Sequence, residues 1–347
     1  MNMETTLSFD DVLLTPQHSD ISSRSEVDTS TVLKRFGKLK VPVISSPMDT
    51  VTGGRMAKRI WTLGGLGIIH RYNASNHQRS EVETTCNTPG VPNFTHSCGA
   101  AVGVTGDYLE RAERLVEGGA EIICVDVAHG DHVSAISAVE VLRKALGDKI
   151  HIMAGNVATR EGFDRLARAG ADSIRVGIGG GSICSTRIQT GHGVPTLWSI
   201  MECAQSEFAG DVSIIADGGI KTTGDIVKAL AAGADAVMLG SMLAGTDETP
   251  GEYVHINEQV YKKYRGMASI EAQVEWRGHH SSEEGVTAWI PAKGPLLNVM
   301  NSIEAGIKSG LSYSGARSIS GLQTRAKFIR ITPAGMHEST THIHSKG

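Results

Sequence analysis

Eight short apolar runs constrain this chain more than any other feature in it. They are Val41–Ser45, Leu66–Ile69, Ala100–Gly103, Ile122–Val125, His151–Ala154, Ser173–Val176, Ser213–Ala216 and Ala236–Leu239. Runs of this length that are apolar on both faces read as buried parallel strands. Amphipathic stretches with a helical period lie between several of them: Tyr108–Glu117, His132–Leu146, Arg160–Ala169 and Thr223–Ala232. Eight strand–helix units close naturally into a (β/α)8 barrel. An open doubly wound sheet is the alternative, and the unit count with the glycine-rich late loops favours closure. The tripeptides Gly119-Ala120-Glu121, Gly170-Ala171-Asp172 and Gly233-Ala234-Asp235 each end a helix and lead into a strand, where Gly suits the helix C-cap. A single α/β barrel over residues 1–347 is predicted.

After Leu239 the pattern changes. Tyr253–Tyr264 reads as a strand pair with a short turn, and the polar segment Ala268–Thr287 has no clean period. Residues 268–287 are expected to form a mobile flap over the barrel mouth. Leu296–Ser309 resumes as a core helix, and residues 337–347, from His337, form a tail.

The balance of 33 basic against 37 acidic residues gives a net charge of −4, which excludes a general nucleic-acid binder. No apolar run reaches the roughly 18 residues of a membrane span. The start, Met1–Thr6, has neither the basic nor the apolar region of a signal peptide. Five cysteines occur without CxxC or regular spacing, which suits a reducing compartment. A cytoplasmic protein with no membrane and no nucleic-acid partner is expected.

The chain holds 41 glycines, concentrated beside the late strands. Gly177-Ile178-Gly179-Gly180-Gly181-Ser182-Ile183-Cys184 follows the sixth run, Asp217-Gly218-Gly219 the seventh and Gly240-Ser241 the eighth. Glycine loops let backbone N–H groups converge on an anion, and barrel active sites lie on the loops after strands. Together these three describe a phosphate-binding corner. Cys184 is the one cysteine in such a loop, beside Ser185, Thr186 and Arg187; it reads as a nucleophile or as a packed thiol. Asp217 ends a buried strand, either to take a sugar hydroxyl or to cap the next helix. Glu283 and Glu284 are acid/base candidates or surface charges. The histidines at 279, 280, 337, 342 and 344 form no convincing metal set.

These segments together resemble the IMP dehydrogenase/GMP reductase family. The likeness runs through Leu7–Leu14, Ser46–Thr52, Gly64–His70, Ala154–Thr159, Gly177–Arg187, Ala216–Ile220, Gly240–Gly245, Tyr264–Met267 and Ala326–Arg330. Gly180 departs from the family's usual Pro or Ser. The resemblance implies a (β/α)8 barrel that assembles as a homotetramer and acts on a purine nucleoside monophosphate, GMP or IMP. Many of the dehydrogenases insert a regulatory CBS pair after the second strand. Here His70 and Ala100 are 30 residues apart, too close to hold it.

Carried over by the resemblance, Cys184 is the nucleophile that attacks purine C2, Thr186 its partner hydroxyl and Glu284 the acid/base group. Ser46, Met48, Gly181, Ser182, Asp217, Gly218, Gly219, Gly240, Ser241, Tyr264, Gly266 and Met267 match nucleotide-holding positions. Asp126, Ala128, Asn156 and Arg277 match the nicotinamide-cofactor side. Gly179, Gly181 and Cys184 match a backbone potassium site completed by a neighbour's Glu-Ser pair, for which Glu338-Ser339 stands in the tail.

The two activities of the family differ at the flap. The dehydrogenase hydrolyses its adduct (IMP, NAD and water to XMP and NADH) and needs an Arg-Tyr dyad there; the reductase expels ammonia from GMP and uses NADPH. The flap of this chain has no Arg-Tyr but carries Glu275-Trp276-Arg277, similar to the reductase's Glu-Tyr-Arg, and later Glu284-Gly285. GMP reductase is therefore the leading expectation. A dehydrogenase without the CBS pair is the alternative, and a non-catalytic nucleotide-binding barrel the third reading.

Overall fold

The computed structural model describes Met3 and residues 5–86 and 96–339. All eight predicted runs are parallel strands of one closed barrel: Val43–Ser45, Leu66–Ile69, Gly99–Val102, Ile122–Asp126, His151–Val157, Ser173–Val176, Ser213–Asp217 and Ala236–Leu239. Each pairs with the next in sequence. The last pairs with the first through Val237–Val43, Met238–Ile44 and Leu239–Ser45, so no sheet edge remains in the barrel.

Helices follow the strands and cover the outside, and threonine caps start two of them. Thr159 and Thr222 accept hydrogen bonds from the amides of Gly162 and Asp225, capping Arg160–Arg168 and Thr223–Ala231. At the other ends Gly119, Gly170 and Gly233 adopt φ of 107°, 106° and 116°, which turns the chain back into the sheet without a Cβ penalty. The repeated tripeptides mark these turns.

Apolar side chains form two layers. One lies between strands and helices; the other fills the barrel, where Ile44, Leu66, Ile68, Ile122, Met153, Ile215 and Met238 meet. Leu33 and Leu39 join the inner layer from a hairpin, Thr31–Leu33 with Gly37–Leu39. That hairpin closes the N-terminal end of the barrel. Its Lys34 amide donates to Ser213 Oγ at 2.9 Å, and the Lys34 carbonyl lies 3.0 Å from His151 Nδ1, both on first residues of strands. With one end plugged, a ligand has only the opposite end to enter.

There the eighth unit is interrupted. Val254–Ile256, Gln259–Arg265 and Thr287–Pro291 form a three-stranded antiparallel sheet, which contains the expected strand pair. Buried Lys262 fixes its root by donating to the carbonyls of Thr246 and Thr249. The flap 268–287 is more ordered than its lack of period suggests. It holds a helix, Ile270–Arg277, capped by Ser269 and ended by Gly278 in the left-handed region. Only Ala272 and Gln273 of that helix are buried, so no apolar stripe announces it. The following helix, Leu296–Tyr313, runs past the expected Ser309. The C-terminal segment begins inside a helix, Pro333–Glu338, and residues 340–347 lie outside the described residues. Among the described residues no helix is long and apolar enough to cross a membrane.

Candidate active site

The open end of the barrel holds a cavity of about 590 Å³. Every residue expected to hold the nucleotide lines it, from Ser46 and Met48 through the three glycine loops to Tyr264, Gly266 and Met267. So do Cys184, Thr186 and Glu284, together with Asp126, Ala128 and Asn156.

The glycine corner is tight. Gly218 has φ of 87°, and a Cβ there would sit 3.2 Å from the Gly181 amide. A Cβ on Gly240 would come within 2.9 Å of the Tyr264 hydroxyl and 3.1 Å of Met48 Sδ. The loops after the sixth and seventh strands therefore meet backbone to backbone, while Gly240 leaves room for the Tyr264 and Met48 side chains. Burial raises the Tyr264 phenol above its ordinary pKa despite a hydrogen bond with Ser182, so it stays a donor at neutral pH. Gly180, the departure from the family pattern, packs against Thr196: an added Cβ would lie 2.7 Å from Thr196 Oγ1, itself buried without a partner.

Asp217 is the end of an ion-pair chain. Its Oδ2 accepts from Asn156 Nδ2 at 2.8 Å and from Arg175 Nε and Nη2 at 3.0 and 2.9 Å. This load on one oxygen leaves Oδ1 for a ligand hydroxyl. Arg175 also reaches Asp126 Oδ1 at 2.5 Å. Burial works against the Arg175 charge, but the two carboxylates outweigh it and raise its pKa. Arg175 escaped the sequence reading because it sits inside an apolar strand; the signal was a lone cation between two strands that end in aspartates.

Cys184 is part-exposed, while Cys86, Cys98, Cys124 and Cys203 are buried. Burial pushes the thiols of Cys124 and Cys203 up to about 12, which leaves them unreactive near neutral pH. The Cys184 thiol donates to Thr186 Oγ1 at 3.2 Å, and the Thr186 hydroxyl donates to Glu284 Oε2 at 2.8 Å. Three features bring the flap carboxylate there. Ser185 N donates to the Glu284 carbonyl (3.1 Å), and Val286 N to that of Ile183 (3.0 Å). Gln273, also missed in the sequence, donates to the carbonyls of Ala268 and Ser282 across the base of the flap. Glu283 lines a separate outer hollow with Glu271 and Glu275.

Two expected groups do not join the cavity lining. Arg277 is exposed outside it, because the flap helix turns Trp276 inward instead. The Trp276 ring lies 5.6 Å from that of Tyr72, with Arg111 stacked over it at 5.6 Å. Glu275 binds Arg265 at 2.6 Å, which holds its carboxyl below the ordinary glutamate range; Arg265 in turn grips Asp49 beside Met48. Glu338 and Ser339 stand exposed at the end of the last helix, away from the Gly179–Cys184 loop's cavity. The Gly181 carbonyl already accepts the Cys184 amide at 3.1 Å.

Fold and site define a (β/α)8-barrel protein with a single part-exposed thiol set beside glycine-rich loops at the C-terminal ends of its strands. A family model described as "IMP dehydrogenase / GMP reductase domain" matches residues 6–342. The inosine-5'-monophosphate dehydrogenase of Nitrosopumilus maritimus is 34% identical, the match covering 99% of both chains. The GMP reductase of Leishmania major is 33% identical over 98% of this chain and 97% of its own. A crystal structure of GMP reductase from Trypanosoma brucei in complex with guanosine 5'-monophosphate superposes with a TM-score of 0.92, at 32% identity and 99% coverage of both chains. The chain belongs to the IMP dehydrogenase/GMP reductase family, oxidoreductases of purine metabolism.

Proposed function

We propose that this protein is a GMP reductase that converts GMP, NADPH and a proton into IMP, NADP⁺ and ammonia. The observation that carries the reading is the unbroken chain from the Cys184 thiol through Thr186 to the flap carboxylate of Glu284. It gives the thiol proton a path to Glu284 as Cys184 adds to C2 of GMP. Glu284 returns that proton to the exocyclic amine, which departs as ammonia and leaves C2 bonded to sulfur. A reduced nicotinamide supplies, when bound, the hydride that C2 accepts. The C–S bond then breaks, IMP forms, and Cys184 leaves as thiolate to be reprotonated from solvent.

The remaining residues hold the reactants. Asp217, fixed by Arg175 and Asn156, takes the ribose hydroxyls. Gly181, Ser182, Gly218, Gly219, Gly240, Ser241 and Tyr264 take the phosphate, and Ser46, Met48, Gly266 and Met267 face the base. Asp126, Ala128 and Asn156 suit a nicotinamide, with Arg71 and Tyr72 continuing the cavity beyond them. Potassium carries no step in this reading. The whole chain acts as one catalytic unit, a homotetramer as the family resemblance implies, in the reducing cytoplasm that its cysteine usage suits.

A dehydrogenase without the CBS pair is the second reading, favoured by the near-equal identity to relatives of that name. Against it, the flap lacks an Arg-Tyr dyad to activate water. Purified protein with GMP and NADPH, followed for NADPH loss and ammonia release, tests the proposal. Faster NADH formation from IMP and NAD would reverse it.

A further inference from the structure

Two buried thiols outside the cavity touch each other. Cys86 Sγ and Cys98 Sγ lie 3.1 Å apart, 12 residues distant in sequence. Cys86 is the last residue of the helix Ser75–Cys86, and Cys98 directly precedes the third barrel strand, Gly99–Val102. Helix-to-strand connections lie at the plugged end of a barrel, opposite the catalytic loops. Both residues are almost fully buried, at 5% and 0% exposure.

Separate anchors hold the two sulfurs together. The Cys98 carbonyl accepts from the Glu121 amide at 3.1 Å, and Ser97 Oγ donates to the Glu121 carboxylate at 2.8 Å. On the other side Cys86 rests on Gly119, where an added Cβ would lie 3.2 Å from Cys86 Cβ. Closing the contact to a disulfide of about 2.05 Å needs a shift of only about 1 Å. The two thiols also differ. A hydrogen bond from Cys98 lowers the Cys86 pKa against the effect of burial, while that same bond and burial raise Cys98. One partner is thus the readier thiolate and the other keeps the proton.

We propose that Cys86 and Cys98 form a reversible redox site, closing to a disulfide when the protein meets a peroxide. The Cys86 thiolate attacks one peroxide oxygen and breaks the O–O bond, giving a sulfenic acid and a hydroxide that takes up the proton the Cys86 thiol had lost and leaves as water. Cys98 sulfur then attacks the sulfenic sulfur, forming the S–S bond, and the expelled hydroxide takes the Cys98 proton. Two thiols lose two electrons to one hydrogen peroxide, which ends as two waters. The crosslink ties the second helix to the third strand and leaves the cavity at the far end untouched.

Full-length Cys184→Ala protein, which has no thiol in the cavity, isolates the pair. Hydrogen peroxide should lower its mass by about 2 Da and its free thiols from four to two, since the chain has five. A digest should yield one peptide pair joined through Cys86 and Cys98, and dithiothreitol should restore all four thiols. The oxidised form should melt several degrees higher, as a crosslink across a short loop does. With Cys86→Ser added, the 2 Da loss and the rise in melting temperature should vanish. Stable oxygen adducts on either cysteine without a crosslink would overturn the proposal. So would thiols that stay unreacted in the folded protein toward both peroxide and the small uncharged oxidant diamide.

Discussion

The hydroxyl of Thr186 lies 2.8 Å from the carboxylate of Glu284, although 98 residues separate them in the chain. The contact joins the loop after the sixth strand to the return limb of the flap. It puts a group able to hold and release a proton two hydrogen bonds from the only part-exposed thiol. In the proposed reaction an amine must leave C2, and a bare amide anion is too basic to depart. Glu284→Gln should still bind GMP yet release ammonia about a hundredfold more slowly or worse, the scale of lost general acid catalysis. Rapid-quench ammonia assays check this. A normal rate in Glu284→Gln with a dead Glu283→Gln would move the role to the neighbouring residue.

Cys184→Ala should keep GMP affinity and lose turnover, because the phosphate and ribose contacts come from other loops. Isothermal calorimetry and NADPH oxidation, measured side by side, separate the two. Turnover within tenfold of the parent would end the covalent reading.

Asp217 and Arg175 act as a pair. Asp217→Ala should weaken GMP binding by about 1.5–3 kcal/mol, roughly ten- to a hundredfold, through lost charge-assisted bonds to the ribose. Arg175→Met should harm both binding and folding, since it leaves the Asp126 and Asp217 carboxylates near each other without their shared cation. Breaking a buried pair in this way costs about 3–5 kcal/mol. Unchanged urea unfolding in Arg175→Met, or unchanged GMP affinity in Asp217→Ala, would contradict the assignment.

How much of this was legible in the sequence depends on whether a residue's role is local. The eight strands show because their apolar runs are buried on both faces, and the glycine loops because only a tight backbone nest needs so many glycines together. Arg175 does not show. Its carboxylate partners are 49 and 42 residues away, and only closure of the barrel brings them to it. The flap helix hides for another reason: caps at Ser269 and Gly278 and side-chain tethers from Gln273 and Glu275 hold it, with no apolar face to give a period. The inward turn of Trp276, which leaves Arg277 outside, follows from that helix. The plug at Leu33 and Leu39 lies in strands too short to read as such.

Gly180 offers a test of local packing. An alanine Cβ would lie 2.7 Å from Thr196 Oγ1, closer than side chains tolerate, so Gly180→Ala should destabilise the loop by about 1–3 kcal/mol. Thr196→Ala removes the obstructing hydroxyl, which has no partner to lose. The double variant should therefore recover most of the stability and GMP affinity lost in the single one. Additive losses in that cycle would show that Thr196 is not what Gly180 accommodates.

Two groups near the N-terminal side of the strands, buried His151 and half-buried Asp235, set opposing pH dependences. Burial lowers His151 from 6.5 to about 4. The unfolded chain thus binds the extra proton first, and the stability from keeping His151 neutral, complete above pH 6.5, is lost as pH falls toward 4. Burial raises Asp235 from 3.8 to about 6, against a hydrogen bond from the Ile214 amide. Here the folded protein binds the proton first; that contribution is complete below pH 3.8 and is lost as pH rises through 6. Each shift corresponds to roughly 3 kcal/mol at 1.36 kcal/mol per unit. Between pH 4 and 6 the two slopes nearly cancel in the parent. Asp235→Asn keeps an acceptor for the Ile214 amide and removes one slope, so its urea stability should fall by roughly 2–3 kcal/mol from pH 6.5 to 4 relative to the parent. His151→Gln removes the other, and its stability should rise relative to the parent over the same interval. Parallel pH profiles for parent and both variants would show that neither group is held in the stated protonation state by burial.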